Sequence, residues 1–357
     1  MLILLLFITI LIHLLFTLIA AIAITKWESK SNMDQPKLSI IIAARNEVEN
    51  LKLLLPALLK QDYPDYEIII GLDRCDDGSV ELLESYENSK IQWIDIRKVA
   101  DGWNSKKYAL NCAISKSVGS WLIFTDADCI PSTDQWLGSI SRETSEDTNI
   151  ILGISPYLSA ASFLSKFIRF EAFMTYFLYA AFTMLGRPYM AVGRNMAVRR
   201  SFFQNSDGYQ QIKHIVGGDD DLFIQKSART GISMMLGKNS TVNTKPSKWI
   251  SEYWHQKTRH LSVGKHYVWQ DTLFLTAYHT IHLSVYPMLL FNIGNICILP
   301  IILFFLFIKL ASYRFVASKI GAGFNYILFP FVEILYAIIT PVLGIRSQLK
   351  KDIKWKN

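Results

Sequence analysis

An α/β fold with a doubly wound, mostly parallel sheet, flanked by apolar helices at both chain ends, is what this sequence predicts. Three observations predict it. From Leu38 to Thr125, short apolar runs alternate with stretches of helical period. Residues 1–25 carry no charged side chain. The run Trp121–Phe124 opens directly into a pair of carboxylates, Asp126 and Asp128. In an open α/β sheet, ligands bind beyond the carboxyl ends of the strands, so the acidic pair marks the place for a site.

The first segment, Met1–Thr25, is long enough to cross a hydrocarbon core of about 30 Å. No basic stretch precedes it and it exceeds the roughly 7–15 residues of a signal-peptide core, so it reads as an uncleaved anchor. Leu38–Ala44 is the first predicted strand. Glu47–Lys60 is a helix, with Leu51, Leu54, Leu55, Leu58 and Leu59 at helical spacing and Asn46 in the cap position. Glu67–Asp73 is the next strand, Val80–Glu87 a helix, Ile91–Ile96 a strand, Lys106–Lys116 a helix and Trp121–Thr125 the fourth strand. Polar residues thus fall at three strand ends: Arg45, Asn46 and Glu47 after the first, Asp73 at the second, Asp126 and Asp128 after the fourth.

Downstream, residues 157–189 are rich in Phe and Tyr, which suits either a buried core helix or an interfacial one with Lys166 and Arg169 at headgroup depth. Two further apolar zones follow, Leu273–Leu310 and Phe324–Leu343, the second interrupted by Pro330, Glu333 and Pro341 and so expected to be re-entrant or interfacial. The organisation is an anchor over 1–25, a catalytic domain over 38–267, transmembrane or re-entrant helices over 273–345 and a basic tail over 346–357.

Lys26, Lys30 and Lys37 follow the anchor, and Arg346, Lys350, Lys351, Lys354 and Lys356 crowd the tail, so both flanks read as cytoplasmic. The net charge of +7 is partly juxtamembrane and fits contact with anionic lipid, not with nucleic acid. Cys75, Cys112, Cys129 and Cys297 show no C-x-x-C spacing, which argues against a disulfide framework and a structural zinc site.

Together the motifs carry a resemblance. SIIIAARNEVENLKLLLPALLKQDYPDYEIIIGLDRCDDGS, from Ser39 to Ser79, resembles the opening of family 2 glycosyltransferases. GWNSKKYALNCAI (Gly102–Ile114) is similar to that family's G-K-x-x-A-L-N segment, and FTDADC (Phe124–Cys129) to its D-x-D site. GRNMAVRR (Gly193–Arg200) is similar to an acceptor-side segment that includes Asn195. GGDDDLFIQ (Gly217–Gln225) stands where the family has E-D-x-D-L or G-D-D. QKTRH (Gln256–His260) resembles Q-x-x-R-W, with His260 in place of the tryptophan.

The resemblance implies a Rossmann-like GT-A fold and a nucleotide diphosphate sugar donor, most often a UDP-sugar. It places Ala44, Arg45, Glu47 and Asp73 near the base and ribose, and Lys106 or Lys107, with Gln256 and Arg259, near the diphosphate. Mg²⁺ or Mn²⁺ falls to Asp128, with Asp126 beside it. Asp219 is implied as the general base by the E-D-x-D-L register and Asp220 by the G-D-D register. Asn195 and His260 fall on the acceptor side. The expected activity is inverting transfer to a lipid or lipid-linked glycan at the cytoplasmic membrane face. The alternatives are a processive polysaccharide synthase and a silent nucleotide-sugar-binding membrane protein.

Overall fold

A computed structural model describes residues 2–291 and 298–349. The chain forms two compact units. One comprises residues 28–158 and 187–245; the other comprises 2–27, 159–186 and 246–349. The domain expected over 38–267 is therefore interrupted, because 159–186 and 246–267 belong to the second unit.

The first unit is built on a seven-stranded sheet of β1 (Leu38–Ala44), β2 (Tyr66–Asp73), β3 (Ile91–Ile96), β4 (Trp121–Phe124), β6 (Ile150–Leu152), β7 (Met196–Arg199) and β8 (Ile232–Met234). The order is β3-β2-β1-β4-β7-β6-β8, and β7 alone runs antiparallel to its neighbours. A small second sheet pairs β5 (Cys129–Pro131) with β9 (Val242–Thr244). Helices α2 (Val48–Leu59), α3 (Ser79–Glu84), α4 (Ser105–Lys116), α5 (Trp136–Glu143), α7 (Arg200–Asn205) and α8 (Asp221–Lys226) complete the unit.

Every residue of β1, β2 and β4 is buried, which is why these strands read as continuous apolar runs without alternation. Leu51, Leu54, Leu55 and Leu58 of α2 join Ile40, Ile42, Ile68 and Ile70 in one core, each fully buried leucine contributing about 1.5–3 kcal/mol. Glu67, buried at the start of β2, accepts from the Ser39 hydroxyl at 2.6 Å and from the Val118 and Gly119 amides at 2.6 and 3.1 Å. One carboxylate thus ties β2, β1 and the turn that enters β4. Ala44 pairs with Leu72 and Ile41 with Phe124, so the carboxyl ends of β2, β1 and β4 lie side by side.

Asn46 does not cap α2. It takes a left-handed φ of 54° and its side-chain oxygen accepts from the Asp76 amide at 3.1 Å. The first amide of the helix, on Val48, donates instead to Asp77 Oδ2 at 2.8 Å. The cap is supplied by a residue distant in sequence.

The second unit is helical: α1 (Leu2–Thr25), α6 (Phe163–Met184), α9 (Ile250–Ser262), α10 (Trp269–Phe291), α11 (Leu299–Ile320) and α12 (Phe329–Leu349). Here α1 packs against α6, α10 and α11, while α12 packs against α6, α9 and α10. Ile3–Thr25, Leu299–Ile320 and Phe329–Leu349 are long and apolar enough to cross a membrane. The apolar zone Leu273–Leu310 is thus two helices, separated by residues 292–297, which lie outside the described residues together with Cys297 and the tail from Lys350. The final stretch, expected to be broken, is a continuous helix containing Pro341. Of the two readings open for this segment, α6 is mainly a buried helix, and Arg169 donates to Ser159 Oγ at 3.1 Å and Gly323 O at 2.8 Å.

Candidate active site

Three loops meet beyond the sheet's carboxyl edge. The first, after β4, carries Asp126 and Asp128. The second is the start of α4, where Asn104 caps the helix by accepting from the Lys107 amide and projects Lys106. The third is the glycine-rich turn that ends at Asp219. Lys106 Nζ stands 3.0 Å from Asp126 Oδ1 and 2.9 Å from Asp219 Oδ2. Burial alone would depress the lysine, but Asp126 and Asp219 outweigh it and hold the ammonium protonated. Lys106, Asp126, Asp219, Gly193 and Tyr209 line a cavity at this point.

Asp126, Asp128 and Cys129 each offer a ligand atom within 4.8 Å of the others. Crowding by protein, then repulsion from Asp126, raises the Asp128 carboxyl above its ordinary range, with Arg194 opposing. Burial, followed by the two carboxylates, pushes the Cys129 thiol well up. It therefore stays protonated and donates to Asp128 Oδ1 at 3.4 Å. Two mutually repelling carboxylates with a thiol kept neutral beside them suit a hard divalent cation bound through oxygen, such as Mg²⁺ or Mn²⁺.

Asp219 and Asp220 are adjacent and differ in kind. Burial would raise Asp219, but Lys106 and Lys107 hold it below the usual carboxylate range. Asp220 is raised by burial and by the charge of Asp219. Both Asp220 oxygens are committed: Oδ1 accepts from the Asp221 amide at 2.8 Å and Oδ2 from the Gly193 amide at 2.7 Å. A Cβ on residue 193 would stand 3.0 Å from that Oδ2, so glycine is what lets the loop come this close. Asp220 is the cap of α8 and Asp219 faces the cavity.

On the neighbouring strands, Asp73 is fully buried and receives Arg74 Nε at 2.8 Å and Nη2 at 3.1 Å, with Arg45 Nη1 at 3.9 Å from the same carboxylate. Ala44 is buried at the end of β1, and Glu47 accepts from Asn50 Nδ2 at 2.6 Å. Arg45, Asp73 and Asp126 are therefore at adjoining strand ends, as expected.

Two expectations are corrected. Lys107 is not at a diphosphate position: it is fully buried and its ammonium donates to the carbonyls of Ile215, at 2.6 Å, and of Gly217. Asn195 does not reach an acceptor. It is fully buried, its amide donates to Ile154 O at 2.7 Å and Ser240 O at 2.8 Å, and its oxygen accepts from Trp136 Nε1 at 3.0 Å. Gln256, Arg259 and His260 lie on α9 of the helical unit, where Gln256 accepts from Ser247 Oγ at 3.3 Å. Sequence reasoning missed Tyr209, buried against the aspartates, and Arg194, whose charge bears on Asp128 while it donates to Ser155 Oγ at 2.7 Å. Arg194 lies inside a motif already singled out; nothing in the local sequence marks Tyr209.

Residues 39–206 match the family described as Glycosyl transferase family 2. Relatives include Glycosyltransferase AglE of Haloferax volcanii, 24% identical over 247 residues that cover 66% of this chain and 74% of that protein. Another is the Probable glycosyltransferase YdaM of Bacillus subtilis, 25% identical over 248 residues, 66% of this chain and 57% of that protein. Among solved structures, the mannosyltransferase PcManGT from Pyrobaculum calidifontis, in complex with GDP-Man and Mn²⁺, is similar with a TM-score of 0.62 at 16% identity. The similarity covers 97% of this chain and 99% of that one, and at this identity it speaks for the fold. The architecture is that of a GT-A-type transferase. Over residues 39–206 the chain matches the family 2 glycosyltransferases, and its relatives are glycosyltransferases by name.

Proposed function

We propose that this glycosyltransferase moves a sugar from a nucleotide diphosphate donor, by its motifs a UDP-sugar, to a lipid or lipid-linked glycan at the cytoplasmic membrane face, with inversion and with a divalent cation. The observation that carries the reading is the Lys106 bridge between Asp126 and Asp219. It sets a cation-binding carboxylate, a phosphate-seeking ammonium and a second carboxylate around one cavity. The GDP-Man and Mn²⁺ in the PcManGT complex support a nucleotide diphosphate and a metal for a fold of this kind.

Asp128, with Asp126 beside it, would hold Mg²⁺ or Mn²⁺, which when bound neutralises charge on the leaving diphosphate. Lys106 turns from its carboxylates to the diphosphate oxygens. Asp219 thereby loses the nearer of the two cations that hold it acidic and recovers basicity, the state a general base needs. It takes the proton of the acceptor hydroxyl as that oxygen bonds to the anomeric carbon, while the bond from that carbon to the diphosphate oxygen breaks on the opposite face. Asp220, spent on two backbone amides, keeps the loop in place. Ala44, Arg45, Glu47 and Asp73 take the base and ribose. The motif gives Gln256 and Arg259 to the diphosphate and His260 to the acceptor. The three candidate spans support a membrane-borne acceptor.

The test is sugar transfer by membranes carrying the wild type or Asp128→Ala, with and without EDTA. Transfer lost in the variant, and lost and restored by Mg²⁺ or Mn²⁺ in the wild type, supports the reading. Wild-type rates in EDTA, or from Asp128→Ala, contradict the metal assignment.

A further inference from the structure

Lys106 and Lys107 are neighbours in the first turn of α4, and only the first reaches the cavity. Lys107 points into the protein and is fully buried. A buried ammonium is costly unless it is hydrogen-bonded. Here two carbonyls receive it, those of Ile215 and Gly217. The preceding residue of the cap, Asn104, donates its amide to Lys213 O at 2.6 Å. The start of α4 therefore grips the stretch 213–217 at three carbonyls.

That stretch ends at Gly217 and Gly218, whose φ values of +77° and +70° put both in the left-handed region where a side chain would be strained. Two such residues in succession make a turn with little intrinsic rigidity, and Asp219 follows it directly. Asp220 anchors the far side of Asp219 through the Gly193 amide; on the near side, without an external clamp, its position would rest on two glycines.

We propose that Lys107 is a positioning residue for the transfer: its buried ammonium holds the 215–217 carbonyls and so sets both the place and the charge environment of Asp219. The inference rests on Asp219 being the base. The groups bearing on Asp219 are Lys106 and Lys107 from α4, with Asp220 and Tyr209 beside it and Asp126 across the Lys106 bridge. Lys107 contributes positive charge there while touching no substrate position, which separates it from Lys106.

The experiment compares Lys107→Met, which removes donors and charge, with Lys107→Gln, which keeps a donor and removes the charge, in the full-length chain. Transfer is followed into lipid extract from a panel of radiolabelled UDP- and GDP-sugars, and donor-site integrity by the affinity for UDP and GDP with Mn²⁺. Lys107→Met should lose about 10²-fold in kcat, the scale of an ångström of misplacement, with nucleotide affinity unchanged. In Lys107→Gln the acid limb of the pH–rate profile should move to higher pH, because one positive charge holding Asp219 ionised has gone. Wild-type kcat in Lys107→Met, a nucleotide affinity that falls in step with kcat, or an unmoved acid limb in Lys107→Gln overturns the proposal. If Lys107→Met does not fold, Lys107→Gln decides alone. Asp219→Asn measured alongside separates the two ideas: an active enzyme overturns the base assignment and this proposal with it. An inactive Asp219→Asn beside an unaffected Lys107→Met overturns the positioning role only.

Discussion

Asp219 and Asp220 share a turn but not a task, and their hydrogen bonds decide which task each has. Asp219→Asn removes a proton acceptor from the cavity wall and should cost about 10²–10⁴-fold in kcat, with UDP affinity kept. Asp220→Asn keeps one acceptor oxygen for the Gly193 or Asp221 amide and should lose far less; rate measurements on the two variants check the order, and a dead Asp220→Asn beside an active Asp219→Asn reverses the assignment. Lys107 gives a second prediction. Burial, the largest influence, lowers its pKa from 10.5 to about 8. Between those values the unfolded chain binds the proton that the native chain has released, so this lysine's contribution to stability rises with pH. Chemical denaturation of the wild type and Lys107→Met should show the difference moving in favour of the wild type as pH climbs from below about 8 towards about 10.5. A pH-independent difference would mean the lysine titrates normally. At this scale the sequence was legible wherever chemistry sat in a short motif: Lys106 joins Asp126 and Asp219, and Asp128 stands beside Asp126. Lys107 and Asn195 were misplaced because consecutive residues on a helix or loop point in different directions, and only the fold says which one faces the cavity.

Among elements, β1, β2 and β4 were legible because burial on both faces leaves nearly uninterrupted apolar runs, and β3, half-buried at the sheet edge, because its apolar residues are interleaved with polar ones. The cap of α2 was not, since Asp77 reaches it across a loop. Nor was the transfer of α6 and α9 to the helical unit, because an amphipathic pattern does not name its partner. Within that unit, Glu333 of α12 accepts from Tyr286 Oη of α10 at 2.7 Å and His282 Nε2 of α10 at 2.9 Å, and it pairs with Lys309 of α11; Glu333 and Lys309 are both fully buried. The glutamate that suggested a broken segment thus meets three polar neighbours at Oε1, while Oε2 is buried without a hydrogen-bond partner among the described residues; pairing of this kind is how an ionisable group is tolerated in an apolar helix. Breaking such a pair leaves one charge buried alone. Glu333→Gln should therefore destabilise the protein by about 3–5 kcal/mol, and Glu333→Leu combined with Lys309→Met by less. Thermal unfolding in detergent of the single and double variants tests this; a double variant less stable than the single one would show that the tyrosine and histidine bonds matter more than the ion pair.

For the whole molecule, the basic residues after the first span and in the tail favour the cytoplasm for both flanks. An even number of later crossings satisfies this, and α11 and α12 are two candidates. The tail beyond Leu349 lies outside the described residues. Single cysteines at Val118, which is 65% exposed, and at Lys354, in a chain lacking its native cysteines, should both be labelled by an impermeant reagent only after the membrane is opened. Labelling of either in intact cells contradicts the orientation. The most direct test of the central claim is transfer itself. Membranes carrying the protein are incubated with labelled UDP- and GDP-sugars and Mn²⁺ or Mg²⁺, and the lipid extract is separated from polymer and water-soluble products. Label from one nucleotide sugar in the lipid extract, absent with Asp219→Asn, is the predicted result. Label in polymer alone, or label in the lipid extract that survives Asp219→Asn, would contradict it.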